Sequence, residues 1–326
     1  MQINMRVDMK RRLALIALLG LGGCQYAQQR KPLEMHNYSK NIRKEMQKKS
    51  DFSEQEYNAA LDRKYDSLFG KKKPVVSRYP DETLKQLFKM YDTLSFYTLE
   101  SRYLAGLEGS FAELTTRGLE KTRCSKGSLK NTCVENMFSA YITQGDLLNA
   151  KKIQQAYPEL LAGEQLPEVR EPVEYAGKSG NLYKLSADGK YFDLVLVEIT
   201  KRPVIVSIMS TGCHFSKRSL ELILTDPELK RAFEENALIV LPLNSSLSFI
   251  PDLVRWNKEN PKLPFLIYSN REDLRGGWER FDFTSLPQFY FLKDGKTVYH
   301  IGGWGPTEED FKANLRKGIA HLEGQK

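Results

Sequence analysis

Cys213 is the residue of this chain best placed to do chemistry. It lies a few residues after the apolar run Val204–Met209, and a helical pattern that carries Leu220 and Leu224 begins directly after it. Such a thiol lies at a helix N-terminus, where unpaired backbone N–H groups and the positive end of the helix dipole stabilise a thiolate. His214 adds positive charge there if it is protonated. The spacing therefore predicts a nucleophile that attacks a disulfide or accepts a sulfur atom.

Cys124 and Cys133 flank a polar loop between two helical patterns. Their spacing favours a local structural disulfide over a metal or redox pair, because they are not separated by two residues and no His lies nearby. A disulfide also suits an oxidising compartment such as the periplasm.

The fourth cysteine, Cys24, ends the run Leu21–Cys24, which reads Leu-Gly-Gly-Cys and follows a basic stretch and a short apolar stretch. This order is typical of an export signal. It resembles the lipobox of bacterial lipoproteins, which implies that Cys24 is diacylated and becomes the first residue of the mature protein. Gln25 in the next position resembles the outer-membrane default of that class, since Asp there tends to retain a lipoprotein at the inner membrane.

Composition excludes several classes of function. The chain has 326 residues, of which 41% are hydrophobic and 28% charged, and this is typical of a globular protein with room for two domains. Its net charge is +8, but the basic residues are mixed with acidic ones, so nucleic acid is excluded as a partner. With only four His, no metal-ligand cluster and no phosphate loop outside the predicted signal, no metal or cofactor is expected.

The periodicity of apolar residues divides the chain into segments, and these segments must position the cysteines described above. The predicted segments are a signal peptide (1–23), a polar tether with some helix (24–78), an all-α helical-hairpin domain (79–165) and, after a proline-containing linker, an α/β domain (173–326). The last helical hairpin, around Gly145, resembles a tetratricopeptide-type turn, although any antiparallel helix pair would give the same pattern.

In the C-terminal segment, short apolar runs predict strands and the intervening stretches predict helices. The predicted strands are Val204–Met209, Ala237–Leu243, Phe265–Tyr268, Gln288–Leu292 and Thr297–Ile301. A final helix is predicted with Thr307 as its N-cap and Phe311 on its buried face.

Several motifs follow one another in this segment. They are Arg202–Cys213, Leu224–Leu229, Ser285–Gln288 and Phe291–Lys296. In this order they resemble the thioredoxin superfamily, and the first two are similar to TlpA-like thioredoxins and to the C-terminal domains of periplasmic disulfide reductases. The resemblance implies a thioredoxin-like fold in which Pro287 is a cis-proline opposite the reactive sulfur, where neighbouring backbone pairs with a substrate strand.

Three positions depart from the family pattern. Ser216 replaces the second active-site cysteine, Gly212 replaces the usual aromatic residue before the first, and Ser207 stands where thioredoxin has a buried acid. Without a second thiol nearby, Cys213 cannot resolve a mixed disulfide internally. Only Cys124 or Cys133 could replace it, and the sequence does not show that either approaches.

Two functions remain open. Cys213 in the reactive position favours a membrane-anchored periplasmic protein that forms mixed disulfides with thiol or disulfide proteins, with oxidoreductase or isomerase-like activity. Ser216, Gly212 and Ser207 favour a redox-inactive module that binds an envelope partner. The candidate catalytic residues are therefore Cys213, His214, Ser216 and Pro287.

Overall fold

A computed structural model describes residues 30–42, 44, 54–70, 74–98, 100–124, 132–175, 180–242, 249–271, 274, 276–283 and 285–324. The chain divides into two compact units, 1–133 and 134–326. The predicted signal peptide and Cys24 lie outside the described residues. Over the ranges given above, no helix is long and apolar enough to cross a membrane.

The described part of the first unit is built from helices. They are α1 (30–42), α2 (Glu54–Phe69), α3 (Asp81–Thr98) and α4 (Ser101–Thr116). The segment predicted as a polar tether contains α1 and α2, which bury Met35, Tyr57 and Leu61. Apolar residues are sparse there, but Tyr57 and Leu61 are spaced by four and therefore share one face of α2.

Two close contacts fix the first unit. Gly106 of α4 lies against the ring of Tyr91 of α3, with no space for a Cβ atom between them. After α4, a disulfide joins Cys124 and Cys133, whose Cα atoms are 5.1 Å apart and whose side chains are buried. The backbone N–H of Cys133 also donates to the carbonyl of Thr122 at 3.1 Å. The cross-link therefore closes the loop whose ends these cysteines form.

The second unit contains a helix pair and a mixed sheet with further helices. The first two helices are α5 (Cys133–Thr143), whose first residue belongs to the first unit, and α6 (Leu147–Ala156). The strands are β1 (Glu168–Arg170), β2 (Asn181–Leu185), β3 (Tyr191–Leu196), β4 (Val204–Ile208), β5 (Ala237–Leu241), β6 (Phe265–Ile267), β7 (Gln288–Lys293) and β8 (Lys296–Gly302). The other helices are α7 (His214–Thr225), α8 (Pro227–Asn236), α9 (Ile250–Glu259) and α10 (Glu308–Glu323).

The eight strands form one sheet in the order β1-β3-β2-β6-β5-β4-β7-β8. Strands β4, β5 and β6 are parallel, whereas β7 is antiparallel to both β4 and β8. The five predicted strands are confirmed as β4 to β8, with small shifts at their ends. Thr307 caps α10 as predicted, since its side chain accepts the N–H of Asp310 at 3.1 Å.

The sheet is buried on both faces. One face carries an aliphatic and aromatic cluster that includes Val206, Ile208, Trp278 and Tyr290. On the other face, β7 packs against α8 and α10, with the ring of Phe289 6.2 Å from Phe233 and 5.5 Å from Phe311. Every residue of β4 is consequently buried, as a central strand requires.

The α5–α6 pair belongs to the sheet unit, although the sequence placed it in the helical segment 79–165. The backbone N–H of Asn270 donates to the carbonyl of Gln144 at 2.7 Å, and its side-chain amide donates to Gln144 Oε1 at 2.6 Å. Gly145 has a φ of +65°, and a Cβ there would overlap the carbonyl oxygen of Tyr268. Long-range contacts with the residues after β6 therefore assign this helix pair to the second unit.

Candidate functional site

Cys213 lies between the end of β4 and the start of α7. It is the N-cap of α7, with φ −87° and ψ 124°, and its carbonyl accepts the N–H of Lys217 at 3.1 Å. Its own N–H donates to the carbonyl of Ser210 at 3.1 Å. The side chain makes no capping hydrogen bond, and the thiol is half-buried. The sulfur is thus accessible at the N-terminus of α7.

The loop before β7 faces this thiol. Cys213 Sγ lies 3.9 Å from the carbonyl oxygen of Leu286, and the Leu286–Pro287 peptide bond is cis. The carbonyl of Pro287 accepts the N–H of Gly303 at 2.9 Å, which ties this loop to the end of β8. The structure therefore brings Cys213 and Pro287, two of the candidate residues, to one place.

Ser216 occupies the second position of the motif but faces inward. It is fully buried, and its Oγ accepts the backbone N–H of Ser210 at 3.2 Å. Ser210 Oγ in turn accepts the N–H of Gly212 at 3.2 Å. Ser216 therefore holds the loop that precedes Cys213. Its hydroxyl cannot take part in thiol–disulfide exchange.

His214 is exposed in the first turn of α7, next to an exposed aromatic side chain. Its ring lies edge-on to that of Phe215, with 5.7 Å between the centroids. Phe215 is 51% exposed and is also 6.3 Å from the ring of Trp304. The resemblance did not single out Phe215 or Trp304, because their proximity depends on contacts between distant segments.

Ser207 lies in the middle of β4, between Ile239 of β5 and Phe289 of β7. It is fully buried, and within the described ranges its hydroxyl has no hydrogen-bond partner. The position at which the resemblance implies a buried acid therefore holds a buried, neutral hydroxyl.

A histidine that the sequence did not single out supports the strand after Pro287. Gln288 is buried, and its Oε1 lies 2.7 Å from Nε2 of His300. The His300 ring stacks on Tyr290 with centroids 4.3 Å apart. Burial lowers the pKa of His300 below its ordinary value of 6.5, and the nearby Asp282 carboxylate opposes this. The contacts of His300 with Gln288 and Tyr290 thus hold the first residues of β7.

The described residues contain no evident set of metal ligands. Across the described segments, no group of three or more His, Cys, Asp or Glu side chains could hold a metal ion. Cys124 and Cys133 of the first unit are joined to each other. The site of the second unit thus consists of one thiol, one buried hydroxyl and the loop around a cis-proline.

No protein-family model and no curated protein sequence matches the chain. Two solved structures are similar in part. An exposed lipoprotein thioredoxin of Streptococcus pneumoniae is 19% identical over 42% of this chain and 99% of its own, with a TM-score of 0.29. A thioredoxin-like protein of Bacteroides caccae is 12% identical over 79% of this chain and 84% of its own, with a TM-score of 0.26.

The chain's own architecture identifies the fold. A central strand leads to a cysteine at the start of a helix, the neighbouring strand β7 begins after a cis-proline opposite that cysteine, and β8 and α10 close the sheet. The second unit has a thioredoxin-like fold.

Proposed function

We propose that the protein is a lipid-anchored periplasmic thioredoxin-like protein that forms mixed disulfides through Cys213 alone. The observation that carries this proposal is the half-buried thiol at the N-terminus of α7, 3.9 Å from the carbonyl oxygen of Leu286 and beside the cis-proline Pro287. Thioredoxin-like folds present their reactive sulfur in this position.

The proposed reaction is one half of thiol–disulfide exchange. The Cys213 thiolate, at the N-terminus of α7, attacks one sulfur of a disulfide in a partner protein. A new S–S bond forms to Cys213, the bond in the partner breaks, and the second partner sulfur leaves as a thiolate. The resemblance to thioredoxin-like proteins implies that backbone next to Pro287 pairs with an extended segment of that partner.

The second half of the exchange requires an external thiol. Ser216 offers a hydroxyl that is buried and already accepts the N–H of Ser210. The mixed disulfide therefore persists until another thiol attacks it. This property suits a protein that exchanges or isomerises disulfides with the help of a second factor.

The anchor is proposed from the sequence. The Leu-Gly-Gly-Cys run that ends at Cys24 supports diacylation of that residue, and Gln25 supports the outer membrane over the inner membrane. The partners would be thiol or disulfide proteins of the periplasm. The protein itself would contact the membrane through its lipid.

Trapping of adducts in cells tests the proposal. Acid-quenched extracts of cells that express the full chain, run without reductant, should contain higher-mass adducts that disappear in Cys213→Ala. Adducts should fade in Ser216→Cys, because a thiol one helical turn away releases the partner. Ser219→Cys is the matched control, since Ser219 is equally buried in α7 but lies six residues from Cys213.

The alternative is a thioredoxin-fold module that binds an envelope partner without redox turnover, which the neutral Ser207 and Ser216 favour. It predicts no adducts for the wild-type chain and no difference between Ser216→Cys and Ser219→Cys. That result would overturn the redox proposal.

A further inference from the structure

We infer that Phe215 and Trp304 form an aromatic platform that selects partner cysteines flanked by a bulky apolar residue. This inference rests on the proposed function and adds a class of partner to it. Phe215 lies in the first turn of α7, two residues after Cys213, and Trp304 lies in the turn after β8. The rings are 6.3 Å apart at an angle of 34°.

Phe215 is exposed because of where it lies on α7. It is on the same side of the helix as the buried residues Ser219 and Leu222, four and seven positions later. The buried stripe of α7 thus runs up to Phe215, but in the first turn this side chain is 51% exposed. About half of this large apolar side chain is therefore open to solvent two residues after Cys213.

Trp304 is held in place by its surroundings. Its ring stacks on Phe311 of α10, with centroids 4.8 Å apart and 17° between the planes, and Phe311 is fully buried. The flanking residues Gly303 and Gly305 both have positive φ values, of +76° and +88°. Gly303 donates its N–H to the carbonyl of Pro287. The platform is therefore connected to the core and to the loop that faces Cys213.

The proposed reaction at Cys213 determines which part of the partner contacts Phe215 and Trp304. A mixed disulfide places the partner's sulfur about 2 Å from Cys213 Sγ. An extended chain advances about 3.3 Å per residue, so the side chains that flank the partner cysteine are the partner groups held nearest to the thiol. The occupant is thus the segment of the partner that flanks its cysteine.

The side chain of Arg218, in the next turn of α7, is already paired, with Glu221 at 2.9 Å and through Nε with Glu308 at 2.8 Å. Covering the two rings gives a partner a free-energy gain that favours Leu, Phe or Met over polar residues beside the cysteine.

Activated peptides test the inference on the full chain in mild detergent. Each peptide carries one cysteine as a mixed disulfide with thionitrobenzoate, flanked by either Phe or Ser on both sides. Attack of Cys213 on the peptide sulfur releases thionitrobenzoate, which is measured by its absorbance. The wild-type chain should react with the Phe-flanked peptide about tenfold faster, since only that peptide makes aromatic contacts with the two rings.

Phe215→Ser and Trp304→Ser should reduce this preference to about twofold or less, because the Phe-flanked peptide then has one ring fewer to cover. Val298→Ser is the matched control, because Val298 is an exposed apolar residue of β8, 39% exposed, and this variant should keep the full preference.

The circular dichroism spectrum of each variant shows whether it is folded. Equal rates of the wild-type chain with both peptides, or a preference that survives in both platform variants, would overturn the inference and leave the proposed function intact. Absence of any reaction at Cys213 would instead overturn the proposed function.

Discussion

Replacing Gly145 by alanine tests whether the α5–α6 pair is a fixed part of the thioredoxin-like unit. Gly145 forms the turn between these helices with a φ of +65°, and a Cβ there would lie 2.8 Å from the Cα of Ser269 and closer still to the carbonyl oxygen of Tyr268. Both neighbours are backbone, so no side chain can rotate away. The variant must either move the turn off the sheet or distort the residues after β6.

The size of the effect follows from two terms. The left-handed conformation costs an L-residue about 1–2 kcal/mol. Overpacking against rigid backbone costs about 1–3 kcal/mol more. We therefore expect Gly145→Ala to lower the free energy of unfolding of the second unit by about 2–5 kcal/mol. With an m-value of about 2–3 kcal/mol per molar urea, the midpoint falls by about 1–2 M.

Tryptophan fluorescence reports on the second unit alone, because Trp256, Trp278 and Trp304 all lie within 134–326. Urea titrations of the chain from Gln25 onward would compare Gly145→Ala with Gly163→Ala. Gly163 has open space around it, so its variant should stay within about 0.5 kcal/mol of the wild type. Equal midpoints for the two variants would refute the docking of the helix pair described above.

Four further predictions address other parts of the chain. Chain 134–326 should unfold cooperatively with a midpoint near that of the longer chain, whereas 166–326, without α5 and α6, should unfold at a clearly lower urea concentration. Non-reducing peptide mapping should find Cys124 joined to Cys133, and Cys124→Ser should destabilise the first unit by about 2–4 kcal/mol in thermal melts; both cysteines found as free thiols would contradict this. Fatty-acid labelling should mark the wild type and not Cys24→Ser, and label that persists in the variant would remove the anchor. Burial raises the pKa of Asp92 in α3 to about 7, so the folded state binds the proton of this carboxyl group more tightly than the unfolded chain does. The free energy of unfolding of the first unit should therefore fall as the pH rises from 4 to 8. Asp92→Asn should remove most of this pH dependence.

The core strands could be predicted because their signal is local. Strands β4 to β8 are short apolar runs bounded by turn residues, and the motif order along the chain was enough to place Cys213 opposite Pro287. Strands β1 to β3 were not singled out, although β3 alternates between buried and partly exposed residues in its first four positions. These three strands precede Arg202, where the first of the family motifs begins.

The parts that sequence reasoning missed depend on distant contacts. Nothing near Gln144 indicates that it pairs with Asn270, and the spacing of α5 and α6 fits any helix pair. The platform of Phe215 and Trp304 and the bond between Gln288 and His300 also join separate segments. Local periodicity contains no information about such pairs, so only the folded chain reveals them.

The inward hydrogen bond of Ser216 has an evolutionary consequence. Serine and cysteine differ by one atom, and the position of Ser216 is already buried, in the first turn of α7 and three residues from Cys213. A lineage with this turn could therefore gain or lose the ability to release its captured partner by a single substitution, with no rebuilding of the scaffold. Under the proposed function, a chain that retains its partner and a chain that releases it would have the same fold and differ at one residue.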